Sequence, residues 1–175
     1  VQQRRVKPLQ TNGGPYRGAT YTALQDREKG WWIANRNGQL DRIRRNGEVS
    51  HHRFVTGNQA RSVACIFEDS KSRVWFGTGN QTLMRWDEDT NAFVVGFPNH
   101  PEFSKIKAIA EDSKQRLWFA GIRNLIRVNG SQIENFRDRP LLKEADFTAL
   151  AFDSRDNLIA GTANGRVISY DGSDF

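Results

Sequence analysis

Cysteine is almost missing from this chain. Cys65 stands alone, which excludes an internal disulfide and a cysteine-based zinc site and fits an oxidising or a reducing compartment equally well. Long apolar runs are missing too. None approaches the roughly 18 residues needed to cross a bilayer as a helix. The start, "VQQRRVKPLQ", has neither an initiator Met nor the apolar core of a signal peptide, so the expectation is a processed or excised piece of a longer protein. Histidine is scarce, with 3 in the chain, and no acidic residue recurs at metal-ligand spacing, so no metal or cofactor is expected.

What is present suits a packed globular unit. The chain has 175 residues, 37% of them hydrophobic, with 11 Phe and 5 Trp, enough for one domain with a real core. The net charge of +6 is unevenly placed: residues 1–62 carry about +8 and residues 63–175 about −2. A basic first third can attract an anionic polysaccharide, a lipid surface or a nucleic acid, or can simply be a solvated segment that aids solubility.

The strings "EDSKSRVWFGT" (68–78) and "EDSKQRLWFAG" (111–121) reveal a repeat. With the acidic turn in register, Asp26, Asp69, Asp112 and Asp153 are separated by 43, 43 and 41 residues. Six residues after each come Trp32, Trp75, Trp118 and Ile159, and two further on Ala34, Gly77, Ala120 and Gly161. Four residues before each come Thr22, Cys65, Ala108 and Ala149, all small. A period of about 40–45 residues rich in strand formers predicts an all-β propeller of four-stranded antiparallel blades.

Within one repeat, "SVACIFED" reads as a strand closed by an Asp whose carboxylate can cap a turn, and "RVWFGT" as the next strand. "TLMRWD", a turn at "EDTNA" and "FVVGF" complete the blade. Asn46-Gly47, Asn129-Gly130 and Asp171-Gly172 suit tight hairpins. The expected division is an N-terminal segment or partial strand at 1–18 and blades at 19–58, 59–101, 102–142 and 143–175. The Asp holds the turn, the Trp packs between blades, and the small pair sits where blades crowd toward an axis, which makes Cys65 a core filler.

At "EDSKSRVWFGTGNQTLMRWD", with its echoes "EDSKQRLWFAGIRNLIRV" and "FDSRDNLIAGTANGRVISYD", the chain resembles the two-component regulator propeller repeat. That pattern runs Asp-Ser-x-Gly-x-x-Trp-(Ile/Phe)-Gly-Thr, followed by a Gly-Leu pair and an aromatic-Asp strand end. Ser72, Gln115 and Asp156 depart from it at the turn Gly, and the fourth repeat lacks the Trp. The resemblance implies an extracytoplasmic (periplasmic or extracellular) sensor region of a bacterial membrane signalling protein, joined to a histidine kinase or diguanylate cyclase output, with a carbohydrate fragment as the sensed ligand in the best-known relatives; a cytoplasmic address stays open. It also implies a seven- or eight-bladed ring, so the partners expected are further blades, a second copy of the chain, or the output domain. The alternative family, WD40, is suggested by Trp86-Asp87 but lacks the Gly-His before the first strand.

In such a disk one face gathers the loops between second and third strands and the connections between blades. Those loops hold Arg36, Asn37, Arg61, Asn80, Gln81, His100, Arg123 and Asn164, whose amides and guanidinium groups suit a hydroxyl-rich or anionic ligand, although each is also an ordinary loop residue. Catalytic motifs are absent. His51 and His52 are adjacent in a strand and point to opposite faces; "DEDTN" (87–91) begins like a calcium loop but has Ala92 and Pro98 where Gly and Glu belong; "GTGN" (77–80) has no helix to follow it. Three readings remain: a non-catalytic ligand-sensing or interaction propeller, a propeller lyase or hydrolase acting on a carbohydrate, and a passive dimerisation scaffold. A nucleic-acid role would need base-stacking aromatics among the arginines, whereas Trp31 and Trp32 read as strand packing.

Overall fold

The computed structural model describes residues 8–35, 38–53, 55, 56, 59, 60, 62–78 and 82–175. Its strands form antiparallel sheets in sequence order. Blade 1 is Thr22–Gln25, Trp31–Ala34, Gln39–Ile43 and Val49–Arg53. Blade 2 is Val63–Glu68, Val74–Thr78, Met84–Asp87 and Ala92–Val95. Blade 3 is Ile106–Glu111, Leu117–Gly121, Asn124–Asn129 and Gln132–Asn135. Blade 4 has three strands, Phe147–Phe152, Leu158–Thr162 and Val167–Tyr170. The described blades stack side by side and do not close into a ring.

The periodic residues explain the stacking. Trp32 meets Phe76, Trp86 and Phe93 of blade 2, Trp75 meets Phe119 of blade 3, and Trp118 meets Phe152 and Tyr170 of blade 4, all at ring separations of 5.2–6.4 Å. Each Trp is almost fully buried. The small residues prove to be partners across the first two strands: Thr22 with Ala34, Cys65 with Gly77, Ala108 with Ala120, and Ala149 with Gly161. Space is tight there, because a Cβ on Gly77 would overlap Cys65 Sγ and the Ile106 carbonyl of the next blade. Burial pushes the Cys65 thiol up to about 12, so at neutral pH it stays protonated and inert.

The turn aspartates do more than start a turn. Asp69 accepts bonds from the Lys71 and Arg73 amides, from Arg73 Nε at 2.6 Å and from Trp75 Nε1 at 2.8 Å. Asp112 repeats the set with Lys114, Arg116 and Trp118. One carboxylate thus fixes the turn and aims the indole. In blade 1 Asp26 instead accepts from the Gly30 amide at 2.6 Å, and Trp32 Nε1 has no partner; Arg42 lies over that ring at 4.6 Å. Three residues past each Asp the backbone is left-handed without glycine, with φ of 68° at Lys29, 59° at Ser72, 59° at Gln115 and 65° at Asp156.

A second recurring bond joins blade to blade. The amide and Oγ of Ser70 donate to the Glu111 carboxylate of blade 3, both at 2.7 Å. The amide and Oγ of Ser113 donate to Asp156 of blade 4 at 2.9 and 2.7 Å. In blade 1 the Arg27 amide donates to Glu68 at 2.8 Å. Where blade 4 has Phe152 in place of the acidic residue, Asp156 supplies the carboxylate from the neighbouring turn position.

The far side of blade 1 is covered by residues 8–18, which carry a short pairing of Gln10–Thr11 with Gly14–Pro15. Its amide at Asn12 donates to the Gly47 carbonyl at 2.9 Å, and Ile33, Asp41 and Ile43 are buried at that face. In the hairpins at Asn46-Gly47 and Asn129-Gly130 only the glycine is left-handed, with φ of 84° and 59°, so these turns are not the two-residue kind with both centres inverted.

Candidate functional site

Hairpin tips and inter-blade connections meet on one edge of the stack. The tip of blade 3 is pinned to the connection that follows it: Ile122 bridges Asp146, and the Arg123 amide donates to the Ala145 carbonyl at 2.8 Å. The tip of blade 4 is pinned to the same connection, which precedes it, its Ala163 amide donating to the Asp146 carbonyl. Thr82 bridges Ser104 in the connection after blade 2. The Asp146 side chain also receives Lys107 Nζ at 2.7 and 2.8 Å.

Between the 2-to-3 connection, the blade 3 tip and the 3-to-4 connection lies a cavity of about 530 Å³, lined by Glu102, Lys105, Ile122, Arg123, Asn124 and Arg137 among others. The local backbone aims these residues. The connection turns through a short 3-10 helix, Pro101–Phe103, whose Phe103 is fully buried and stacks on Phe97 at 4.2 Å. Lys105 and Arg123 then sit in the left-handed region, with φ of 58° and 51°. Gly121 has no room for a Cβ because the Lys105 carbonyl packs on it, which locks the lysine's backbone against the blade. Asn124 is buried, its Nδ2 donating to the Glu102 carbonyl and its Oδ1 without a partner. Burial alone would raise Glu102, but a backbone bond and the His100 ring, 2.9 Å away, hold its carboxyl below the usual range.

Among the residues expected on this face, His100 and Arg123 come together here, the first through Glu102 and the second directly. Arg123 reaches Glu144 at 3.3 Å, both side chains largely exposed. Asn164 lies apart from the cavity lining; its Oδ1 accepts Thr162 Oγ at 2.6 Å within its own turn. Arg36, Asn37, Arg61, Asn80 and Gln81 lie outside the described residues. Lys105, Asn124 and Arg137 are not in the sequence-derived set. All three nevertheless lie in segments expected on this face, Lys105 and Arg137 in the connections at 98–105 and 137–146 and Asn124 in the loop at 121–124, and their charge or amide was the available signal.

A second polar cluster sits where residues 8–18 cross blade 1. Asp41 accepts from Tyr16 Oη at 2.6 Å and pairs with His51 Nδ1 at 2.7 Å. Burial works to raise its carboxyl, yet the bonds from Tyr16, His51 and Gln39 prevail and keep it low. Tyr16 is pushed far up by burial and by the same carboxylate. Its hydroxyl is committed to Asp41, so the trio fastens the N-terminal segment. His52 faces the other way, against Trp86 at 5.0 Å and Phe93 at 5.7 Å.

Against known proteins, residues 57–80 match the model of the two component regulator propeller family. No curated protein matches the chain. In solved structures the chain is similar to the extracellular domain assigned to a hybrid two component system from B. thetaiotaomicron, with 23% identity, a TM-score of 0.70, and coverage of 89% of this chain and 20% of that one. It is also similar to the extracellular domain assigned to a one component system of the same organism, with 18% identity, a TM-score of 0.68 and coverage of 85% and 21%. Virginiamycin B lyase from Staphylococcus aureus is similar at 16% identity and a TM-score of 0.61, covering 85% and 54%. The chain therefore spans about a fifth to a half of the length of these proteins. The fold is a stack of β-propeller blades, as the sequence pattern indicated. Among the described residues no helix is long and apolar enough to cross a membrane.

Proposed function

We propose that this chain is the ligand-sensing part of an extracytoplasmic β-propeller in a bacterial signal-transduction protein, acting by binding and not by catalysis. The observation that carries this reading is the cavity between two inter-blade connections, which gathers Lys105, Arg123, Arg137 and the buried amide of Asn124 from three segments of the chain. The family match at residues 57–80 supports a signalling context, and the two extracellular neighbours support an address outside the cytoplasm. A ligand seated there touches blade 3 and the connections on both its sides, so its binding energy bears on how blades 2, 3 and 4 pack. That gives an output domain something to read.

The test is a thermal-shift screen of the chain against neutral and acidic oligosaccharides, with each mixture followed by mass spectrometry. A saturable rise in Tm with unchanged ligand mass is the expected result. A new product would establish the enzyme reading, and no shift across the set would favour a scaffold.

A further inference from the structure

The cavity beside blade 3 has a marked charge imbalance. Lys105, Arg123 and Arg137 arrive from three separate segments, and Glu102 is the acidic residue of the lining, already engaged with His100. Among the described residues neither the Lys105 ammonium nor the Arg137 guanidinium has an ion pair or a side-chain hydrogen bond. Arg123 has only the exposed contact with Glu144 at 3.3 Å, a kind of pair that contributes little in water. Elsewhere in the stack cations near the blade faces are matched: Arg42 holds Glu88 through two bonds, Arg73 holds Asp69, Arg116 holds Asp112 and Lys107 holds Asp146. Unpaired cations also occur elsewhere, Arg44 and Arg45 among them, but here three from separate segments line one cavity whose single acidic residue is already engaged.

The backbone that carries two of these cations is also fixed before any ligand arrives. Lys105 and Arg123 occupy left-handed backbone that side chains other than Gly and Asn rarely adopt, a strain that tends to collect at binding sites. The carbonyl of Lys105 is wedged against Gly121, and the amide of Arg123 is tied to Ala145. Such preorganisation lowers the ordering cost of binding. Ile122, 39% exposed, adds an apolar wall beside the charges.

From this we infer that the cavity is a polyanion site: it takes a ligand bearing two or more carboxylate or sulfate groups, which bridge Lys105, Arg123 and Arg137 while Ile122 covers the ligand's less polar face. The inference rests on the sensor reading and names the ligand class for the same site. Guanidinium groups bind carboxylates and sulfates through paired bonds, so Arg123 exchanges Glu144 for the ligand. One ligand then ties the connection before blade 3 to the connection after it.

The same chemistry can come from an acidic oligosaccharide or from a small free polycarboxylate, and the experiment separates them. Isothermal titration calorimetry would be run on the whole chain with trigalacturonate, with citrate and with neutral maltotriose, at low salt and at physiological salt. Saturable binding of trigalacturonate or of citrate, weaker at the higher salt, supports the site, and the tighter of the two identifies the source. Arg123→Gln and Arg137→Gln should each weaken that binding about tenfold or more, while Arg155→Gln, which removes an equal charge in the blade 4 turn, should leave it unchanged. Thermal melts of the variants confirm that the comparison is between folded proteins. The inference is overturned by equal binding of maltotriose, by equal loss in Arg155→Gln, or by no anion binding at millimolar concentration. A neutral ligand that binds without turnover would overturn the polyanion class and leave the sensor reading standing; cleavage of trigalacturonate would overturn the sensor reading instead.

Discussion

Trp75 and Trp118 each combine three jobs: they fill the space between two blades, give an indole N–H to the turn Asp, and lie beneath an arginine, Arg73 at 5.2 Å and Arg127 at 5.3 Å. Replacing either with Ala removes a large buried side chain and leaves part of the Asp carboxylate unbonded. Trp75→Ala and Trp118→Ala should each cost about 3–5 kcal/mol. Arg123→Ala should change stability by no more than about 0.5 kcal/mol, because its side chain is exposed. Urea denaturation of the three variants checks the contrast; equal losses would mean that the split between packing and surface positions is wrong. His52 supports a pH prediction. Burial among Trp32, Trp86 and Phe93 lowers its pKa below the ordinary 6.5, and the Arg42 charge adds to this against the pull of Asp41. With the folded value depressed, the unfolded chain takes up the proton more readily. The stabilising contribution of neutral His52 is therefore complete above about pH 6.5 and fades as pH falls through the lower folded value. His52→Phe should flatten that part of the stability profile, and a denaturation series between pH 7.5 and 5 shows whether it does.

At the scale of the element, the turn between the first two strands of each blade is where sequence and structure inform one another most. The repeat marked Asp26, Asp69, Asp112 and Asp153, the indole six residues on and the small pair across the strands, all of which are local and periodic and therefore visible in the string. The missing turn Gly at Ser72, Gln115 and Asp156 read as divergence; the backbone shows that these side chains bear the left-handed conformation themselves. Ser72→Gly and Gln115→Gly should each stabilise the chain by up to about 1 kcal/mol by relieving that strain. Asp156→Gly should do the opposite, since it relieves the same strain but deletes the carboxylate that holds Ser113. Opposite signs in the measured unfolding free energies would confirm that one turn position carries two different duties. The bonds from Ser70 to Glu111 and from Ser113 to Asp156 could not be read beforehand, because they join residues 41 and 43 positions apart and depend on how one sheet leans on the next. The same reason hid the cavity. Arg123 stood out as a loop cation, and Lys105 and Arg137 lie in connections expected on the same face, but that the three line one cavity follows from the paths of two connections around blade 3.

For the molecule as a whole, burial is graded along the stack. Blade 3 is covered on both faces, with Ile109, Phe119 and Ile126 against blade 2 and Trp118, Ala120 and Leu125 against blade 4. Blade 4 has one covered face; on the other, Thr148, Ala149, Ala151 and Ser169 are exposed and Val167 is 73% exposed. Ile159 stands on that side where the other blades carry Trp, so the repeat has lost its largest packing residue at the face with no neighbour in the described chain. Amide hydrogen exchange should therefore be slowest in Leu117–Gly121 and Asn124–Asn129 and faster in Val167–Tyr170, since opening free energy follows local burial. Uniform protection would mean that the stack opens only as a unit.

The serine–carboxylate bond has an implication for how such chains can grow. Each unit carries its own lock, the residue after the turn Asp, and a key for the lock behind it, placed one residue before that Asp or three after it. A tandem duplication of whole units copies lock and key together, so every new joint arrives ready to engage and the number of blades can change without redesigning a single interface. Where the acidic residue before the Asp is replaced, as at Phe152, a carboxylate from elsewhere in the same turn can serve, as the shift from Glu111 to Asp156 shows.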